Sequence, residues 1–180
     1  YCVLDLETTG LSFRTEKITE VGIIKIKNGE IIDEFECFVN PEKPIPPEVV
    51  KVTNITDDMV KSAETIDKVI PKIIDFIGDS VLVAHNADFD LGFLKHNFAE
   101  CGYSLDNTYI DTLRLAKVVF PEMKRYKLGL IAEKLDIKVE VAHRALDGVK
   151  TLVAVFNVMI EKLKERGAKN VNDIDIVFGN

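Results

Sequence analysis

Two apolar-rich runs, residues 18–26 and 31–39, flank Asn28-Gly29, and this arrangement constrains the fold more than any other feature of the chain. Asn-Gly suits the left-handed central residues of a type I′ turn, so the segment 17–40 predicts a β-hairpin. An opening apolar run, residues 1–4, adds a third strand and gives an antiparallel three-strand start. Pro41, Pro44, Pro46 and Pro47 then forbid a central strand or a helix interior, which leaves a crossing loop with room for a short helix over 47–52. Beyond it, helix-like and strand-like patterns alternate: helix 66–77, strand 81–84, helix 89–101, strand 109–110, and helices 112–119 and 127–135. A last helix over 142–165 places Leu146, Val149, Leu152, Val153, Phe156, Met159, Ile160 and Leu163 on one stripe. An antiparallel start followed by strand-helix alternation predicts an α/β layer fold with a mixed sheet.

Composition narrows the class. A hydrophobic fraction of 47% with 29% charged residues is that of a soluble globular chain, and 180 residues suffice for one domain with a single core. No stretch is long and apolar enough for a membrane helix, and no secretory signal is evident, so no membrane partner is expected. Cys2, Cys37 and Cys101 are odd in number and widely spaced, which predicts reduced thiols and a cytoplasmic setting rather than a disulfide or zinc framework. The chain opens on Tyr1 inside a strand, from which we expect a single domain, 1–180, excised from something larger. Its net charge of -7 excludes the broadly basic surface of a stand-alone nucleic-acid binder, so any nucleic acid has to be held locally. Lys124-Arg125-Tyr126-Lys127 is the only dense basic cluster containing an aromatic. It suits a phosphate backbone, and equally a solvated approach to a helix.

Chemistry concentrates at three places. Asp5 and Glu7 lie at i and i+2 at the end of the first strand and therefore project from one face. Two carboxylates crowded there repel unless a divalent cation neutralises them, and hard oxygen ligands suit Mg2+ or Mn2+ better than zinc. His85-Asn86-Ala87-Asp88-Phe89-Asp90 follows the buried strand and leads into a helix, where either aspartate serves as a cap or as a further metal carboxylate. Ala142-His143-Arg144-Ala145-Leu146-Asp147-Gly148 opens the last helix, and a histidine beside carboxylates is suited to take a proton from water near neutral pH. His85 and His96 read as structural, the first supporting a loop and the second lying on a helix face.

In this order, D-x-E-T-T-G, H-N-A-x-F-D and H-x-A resemble the three motifs of the DEDD superfamily of 3′-5′ exonucleases, in its histidine-bearing DEDDh subgroup. The likeness spans nearly the whole chain, includes the connecting loop from Asn40-Pro41 to Thr53-Asn54-Ile55-Thr56, and is greatest to the proofreading domain of PolC-type bacterial DNA polymerase III. The resemblance implies a ribonuclease-H-like fold, with a five-strand mixed sheet flanked by helices, and two divalent cations, Mg2+ or Mn2+. By the same resemblance Asp5, Glu7 and Asp90 are metal carboxylates, which selects Asp90 over Asp88, and His143 is the general base. Thr8, Gly10, Leu11 and Phe89 match positions lining the terminal-nucleotide pocket, while Asn54 and Ile55 match positions that wedge between bases. The implied partners are a single-stranded DNA 3′ end and the polymerase regions of the same parent chain.

One position departs from the family pattern. The last metal aspartate is expected at 148, where this chain carries glycine, and Asp147 is the substitute candidate ligand. Asp147 lies roughly 100° around the helix from that position and about 1.5 Å back along it. The leading expectation is a metal-dependent 3′-5′ exonuclease of DNA, impaired in this copy by Gly148. The alternatives are an RNA-trimming exonuclease of the same superfamily and a strand-binding module that has lost catalysis. A phosphatase using Asp5 as nucleophile leaves His143 and the second motif without roles.

Overall fold

The hairpin turn forms as the sequence predicts: Asn28 and Gly29 both take positive φ, 54° and 82°, and join β2 (Ile18–Lys27) to β3 (Glu30–Phe38). The computed structural model describes residues 1–139 and 144–170. In it β1 (Cys2–Thr8) pairs antiparallel with β2 on one side and parallel with β4 (Leu82–Ala84) on the other. A parallel β5 (Tyr109–Asp111) completes the five-stranded mixed sheet, whose order is β3-β2-β1-β4-β5.

The helices are α1 (Pro47–Thr53), α2 (Asp57–Val60), α3 (Ile66–Ile77), α4 (Ala87–Glu100), α5 (Thr112–Val119), α6 (Leu128–Lys134) and α7 (Ala145–Glu165). β1 sorts its side chains by alternation. Cys2, Leu4 and Leu6 enter a core built with Val69, Ile70 and Ile73 of α3 and Leu91, Phe93 and Leu94 of α4. Val3 points the other way, into a core with Leu115 and Val119 of α5, Ile131 of α6, and Val149, Leu152 and Phe156 of α7. Full burial of each such side chain contributes about 1.5–3 kcal/mol, so both faces are firmly covered. Asp5 and Glu7 share the parity of Val3 and thus emerge on the α7 face of the central strand.

Two elements differ from expectation. α4 begins at Ala87 rather than 89, because Asn86 takes a left-handed conformation (φ 65°) and turns the chain from β4 into helix within two residues. The single-turn α2 follows Thr56 and has no counterpart in the apolar pattern, being too short to show a period. The expected start of the last helix at 142 falls outside the described residues, and from Ala145 onward the helix runs to Glu165 as predicted.

The packing of α7 on the sheet depends on Gly22. A Cβ at that position would stand 2.9 Å from Leu146 N and 3.0 Å from the Ala145 carbonyl carbon, both backbone atoms that have no room to give. Strand propensity alone predicts that Gly22→Ala stabilises by about 0.5–1 kcal/mol. The close approach reverses the sign. We expect a loss of about 1–3 kcal/mol from overpacking, seen as a melting midpoint lowered by roughly 2–12 °C; calorimetry on the two proteins checks it, and a gain would show that α7 sits further off.

Candidate active site

The carboxyl end of β1 collects the acidic groups. Asp5 and Glu7 lie directly opposite Gly22 and Glu20 of β2, so all four positions share one face of the sheet. Asp90 comes from the first turns of α4, is buried, and its Oδ1 accepts the Leu6 backbone N–H at 3.0 Å. β4 pairs with β1 only at Cys2 and Val3, so beyond those residues the ladder on that side has ended and the Asp90 carboxylate serves Leu6 instead. Asp88, the other candidate of this motif, is exposed and binds Arg114 at 3.0 Å. The structure thus carries Asp90, and not Asp88, to the end of β1.

The electrostatics follow from crowding like charges out of water. Burial pushes the Asp5 carboxyl up to about 6. Glu7 is pushed up to about 7, by burial first and then by the charges of Asp5 and Glu20, with Arg144 opposing. Asp90 is raised well above the usual carboxylate range by burial and by Asp5. Such a set has the chemistry of a hard divalent-cation site: oxygen donors only, with a cost of ionisation that a cation would relieve. The fit is incomplete. Among the described residues no three acidic, histidine or cysteine side chains converge into a finished metal shell.

Gly148 is the position at which the resemblance expects a further carboxylate. It lies in the first turn and a half of α7 with its open side toward β1, and a Cβ there would stand 3.4 Å from Asp5 Oδ2, an ordinary contact distance. Asp147, the substitute ligand of the sequence reading, caps the start of α7: its Oδ2 accepts the Arg144 backbone N–H at 3.2 Å. His143 lies outside the described residues.

The nucleotide-pocket candidates flank this centre. Thr8 is buried, its hydroxyl donating to Gly10 O at 2.6 Å, and the Thr9 N–H bonds Lys17 O, closing the loop. Leu11 stands at the loop tip, 86% exposed, while Phe13 packs on the Phe93 and His96 rings of α4. Phe89 is partly buried against Phe93, ring centroids 5.1 Å apart. Asn54 is exposed, caps α1 in a left-handed conformation (φ 57°), and is free to meet a ligand. Ile55 corrects the sequence reading. It is fully buried with Ile45 and Val60, so it cannot wedge between bases without emptying that small core. Val52, 81% exposed in the last turn of α1, is the apolar side chain actually presented there.

Glu20 and Asp111, which the motifs did not flag, and His85 of the second motif also shape the site. Glu20 is 1% exposed and accepts the Ala145 N–H of α7 at 3.2 Å; no local signal marked it, because that partner lies far along the chain. Asp111 ends β5, and its Oδ1 accepts both Leu113 N–H, capping α5, and Asn86 N–H, bracing the left-handed turn before α4. An aspartate before a helix start pointed to the cap but not to the brace. His85 is structural, as expected: Nδ1 meets Thr112 Oγ1 at 3.0 Å and Nε2 meets the Tyr126 carbonyl at 2.7 Å. It anchors the basic segment Lys124–Lys127, which lines an open groove of about 710 Å³ with Asn86 and Leu113.

With this geometry in hand, the relatives are informative. The family model described as Exonuclease (RNase_T) matches residues 2–156. The chain belongs to the exonuclease family. Enzymes of this family depend on divalent metal ions. The exonuclease domain is 46% identical over 165 residues to a PolC-type DNA polymerase III of Clostridium perfringens, covering 92% of this chain and 11% of that protein. With the Caldanaerobacter subterraneus PolC-type polymerase the identity is 44% over 178 residues, covering 99% of this chain and 13% of that protein. The chain therefore spans about an eighth of the length of the curated relatives it matches. Among solved structures, Exonuclease X in complex with 5′ overhanging duplex DNA superposes with a TM-score of 0.74 at 26% identity, covering 89% of this chain and 90% of that one. E. coli Exonuclease I in complex with a dT13 oligonucleotide reaches 0.79 at 17% identity, covering 91% of this chain and 41% of that one, a likeness of fold.

Proposed function

We propose that this exonuclease domain hydrolyses nucleotides from the 3′ end of single-stranded DNA, as the proofreading part of a longer polymerase chain, and that Gly148 leaves this copy weakened. The observation that carries the reading is that Asp90 binds the Leu6 N–H, between Asp5 and Glu7 at the end of β1, while the open side of Gly148 faces Asp5. The PolC-type identity of 46% supports DNA and a polymerase parent.

Asp5, Glu7 and Asp90 would hold the cations, two Mg2+ or Mn2+ in this reading, which supply charge stabilisation of the phosphoryl oxygens and of the leaving 3′ oxygen. His143 takes the proton of the attacking water, an effect worth about 100- to 10,000-fold. Leu11 and Phe89 flank the terminal base, and Val52 with Asn54, rather than Ile55, offers the surface against which it separates from its neighbour. The three cations of Lys124–Lys127, on a loop pinned by His85, face the backbone phosphates on an otherwise acidic domain.

The test uses Gly148→Asp protein with Mn2+ and matched DNA and RNA oligonucleotides labelled at the 5′ end. A ladder shortening from the 3′ end of DNA, with RNA degraded more slowly, is expected. Equal or faster RNA digestion would move the substrate class to RNA, and DNA binding without any shortening would leave a strand-binding module.

A further inference from the structure

Glu20 is an almost fully buried carboxylate that belongs to none of the three sequence motifs, and it touches the helix that carries position 148. Its Oε2 accepts the Ala145 N–H at 3.2 Å across 125 residues of chain, and its Oε1 lies 3.6 Å from Arg144 Nη1. Arg144 in turn lies over the Phe38 ring, 5.2 Å from its centroid, at the end of β3. Two residues along the same face of β2, Gly22 lets the backbone of Ala145 and Leu146 come close.

We propose that Glu20 is a positioning residue: from β2 it clamps the first turn of α7 and so sets where position 148 stands over Asp5. The inference rests on the exonuclease reading for its catalytic consequence, but its structural half is independent of it.

The first turn of a helix has N–H groups without intrahelical partners. In α7 the residue at the N-cap position, Arg144, makes no side-chain capping bond, Asp147 reaches back to the Arg144 N–H, and among the described residues the Ala145 N–H is satisfied by Glu20 from another element. Steric contact at Gly22 fixes how far α7 stands from the sheet. It does not fix rotation about the helix axis. A directional hydrogen bond at Ala145 does, and Gly148 is less than one turn further on, so a rotation at the start is passed on undiminished. Because Glu20 is the cross-strand neighbour of Glu7 and Gly22 that of Asp5, one face of β2 positions α7 relative to the same two carboxylates that β1 presents. Burying a carboxylate for one hydrogen bond and one long ion pair repays its desolvation poorly, so stability alone does not call for this arrangement.

The experiment compares Glu20→Gln and Glu20→Met, each combined with Gly148→Asp. Glutamine keeps an oxygen for the Ala145 N–H, and methionine keeps the volume without it. Rates are taken well below each melting midpoint, so that folding losses do not enter. For Glu20→Met we expect kcat on a DNA oligonucleotide to fall roughly 10- to 100-fold, the scale of a lost supporting contact behind a metal site, with KM within about threefold. Glu20→Gln should stay within about threefold in both. In metal-free protein, hydrogen exchange at the Ala145 amide should speed up in Glu20→Met and not in Glu20→Gln. An unchanged kcat in Glu20→Met, or equal losses in both variants, overturns the proposal. If Gly148→Asp itself proves inactive, the exonuclease reading fails, while the exchange result still tests the clamp.

Discussion

Gly148→Asp should convert a feeble domain into an active metal-dependent nuclease, with a gain on DNA 3′ ends of at least about 100-fold, the scale on which one electrostatic group at a reacting centre acts. The geometry admits its first atom: among the described residues a Cβ at this position meets Asp5 Oδ2, at an ordinary contact distance of 3.4 Å, so it forces no backbone shift. Its carboxylate would join three others whose proton affinities are already raised, and it would therefore destabilise the metal-free protein at neutral pH. Added Mn2+ should reverse that loss. A ligand present at a hundred times its dissociation constant stabilises by about 2.7 kcal/mol, so the variant should show a larger rise of melting midpoint with Mn2+ than the parent does. Asp147→Ala provides the control, because it removes the carboxylate that caps the Arg144 N–H. It should cost stability, about 1 kcal/mol for a lost cap, and leave the gain in Gly148→Asp intact. Absence of any gain in either readout would mean that α7 does not complete the site.

What could be read from sequence depended on how local its cause was. The hairpin rests on Asn28-Gly29 and two alternating runs, and α3 on the apolar spacing from Ile66 to Ile77; both formed where expected. Asp5 and Glu7 share a face because a strand alternates, which needs no tertiary knowledge. Asp90 was different. Local physics left it level with Asp88, since either suits a helix start, and only the end of the β4 ladder and the freed Leu6 N–H distinguish them. Ile55 was assigned by resemblance, and the short loop after α1 gives no period by which its inward side chain could have been told from the outward Val52. Glu20 was invisible as a site residue because its partner, Ala145, lies at the other end of the chain. The family resemblance recovered the motif residues but not this second layer, which the motifs do not contain.

Metal-free protein should lose stability as pH rises from about 4 to about 7, opposite to the usual behaviour of a protein held by carboxylate ion pairs. The sign follows from linkage. A carboxyl whose folded pKa lies above its unfolded value binds its proton more tightly in the folded state, so the stability it contributes is present at low pH and is lost as pH climbs through the folded value. Asp5 rises from 3.8 to about 6 and Glu7 from 4.5 to about 7, which sets the window. A two-unit rise corresponds to on the order of 3 kcal/mol, and because the groups repel one another the total is less than their sum. Glu16, whose carboxyl is held low by Lys43 and Thr9, works in the other direction, but it is at the surface and screened. Asp5→Asn isolates the effect. It removes one of the crowded charges, so in the absence of metal it should melt higher than the parent at about pH 8, by roughly 5 °C, and no higher at about pH 4. Mg2+ or Mn2+ should stabilise the parent at about pH 8, fail to do so at about pH 4 where protons hold the carboxylates, and act weakly on Asp5→Asn at either pH. A parent protein that gains stability steadily from pH 4 to 8 without metal would show that the cluster is relaxed by water rather than strained, and would remove the main physical argument for a cation at the end of β1.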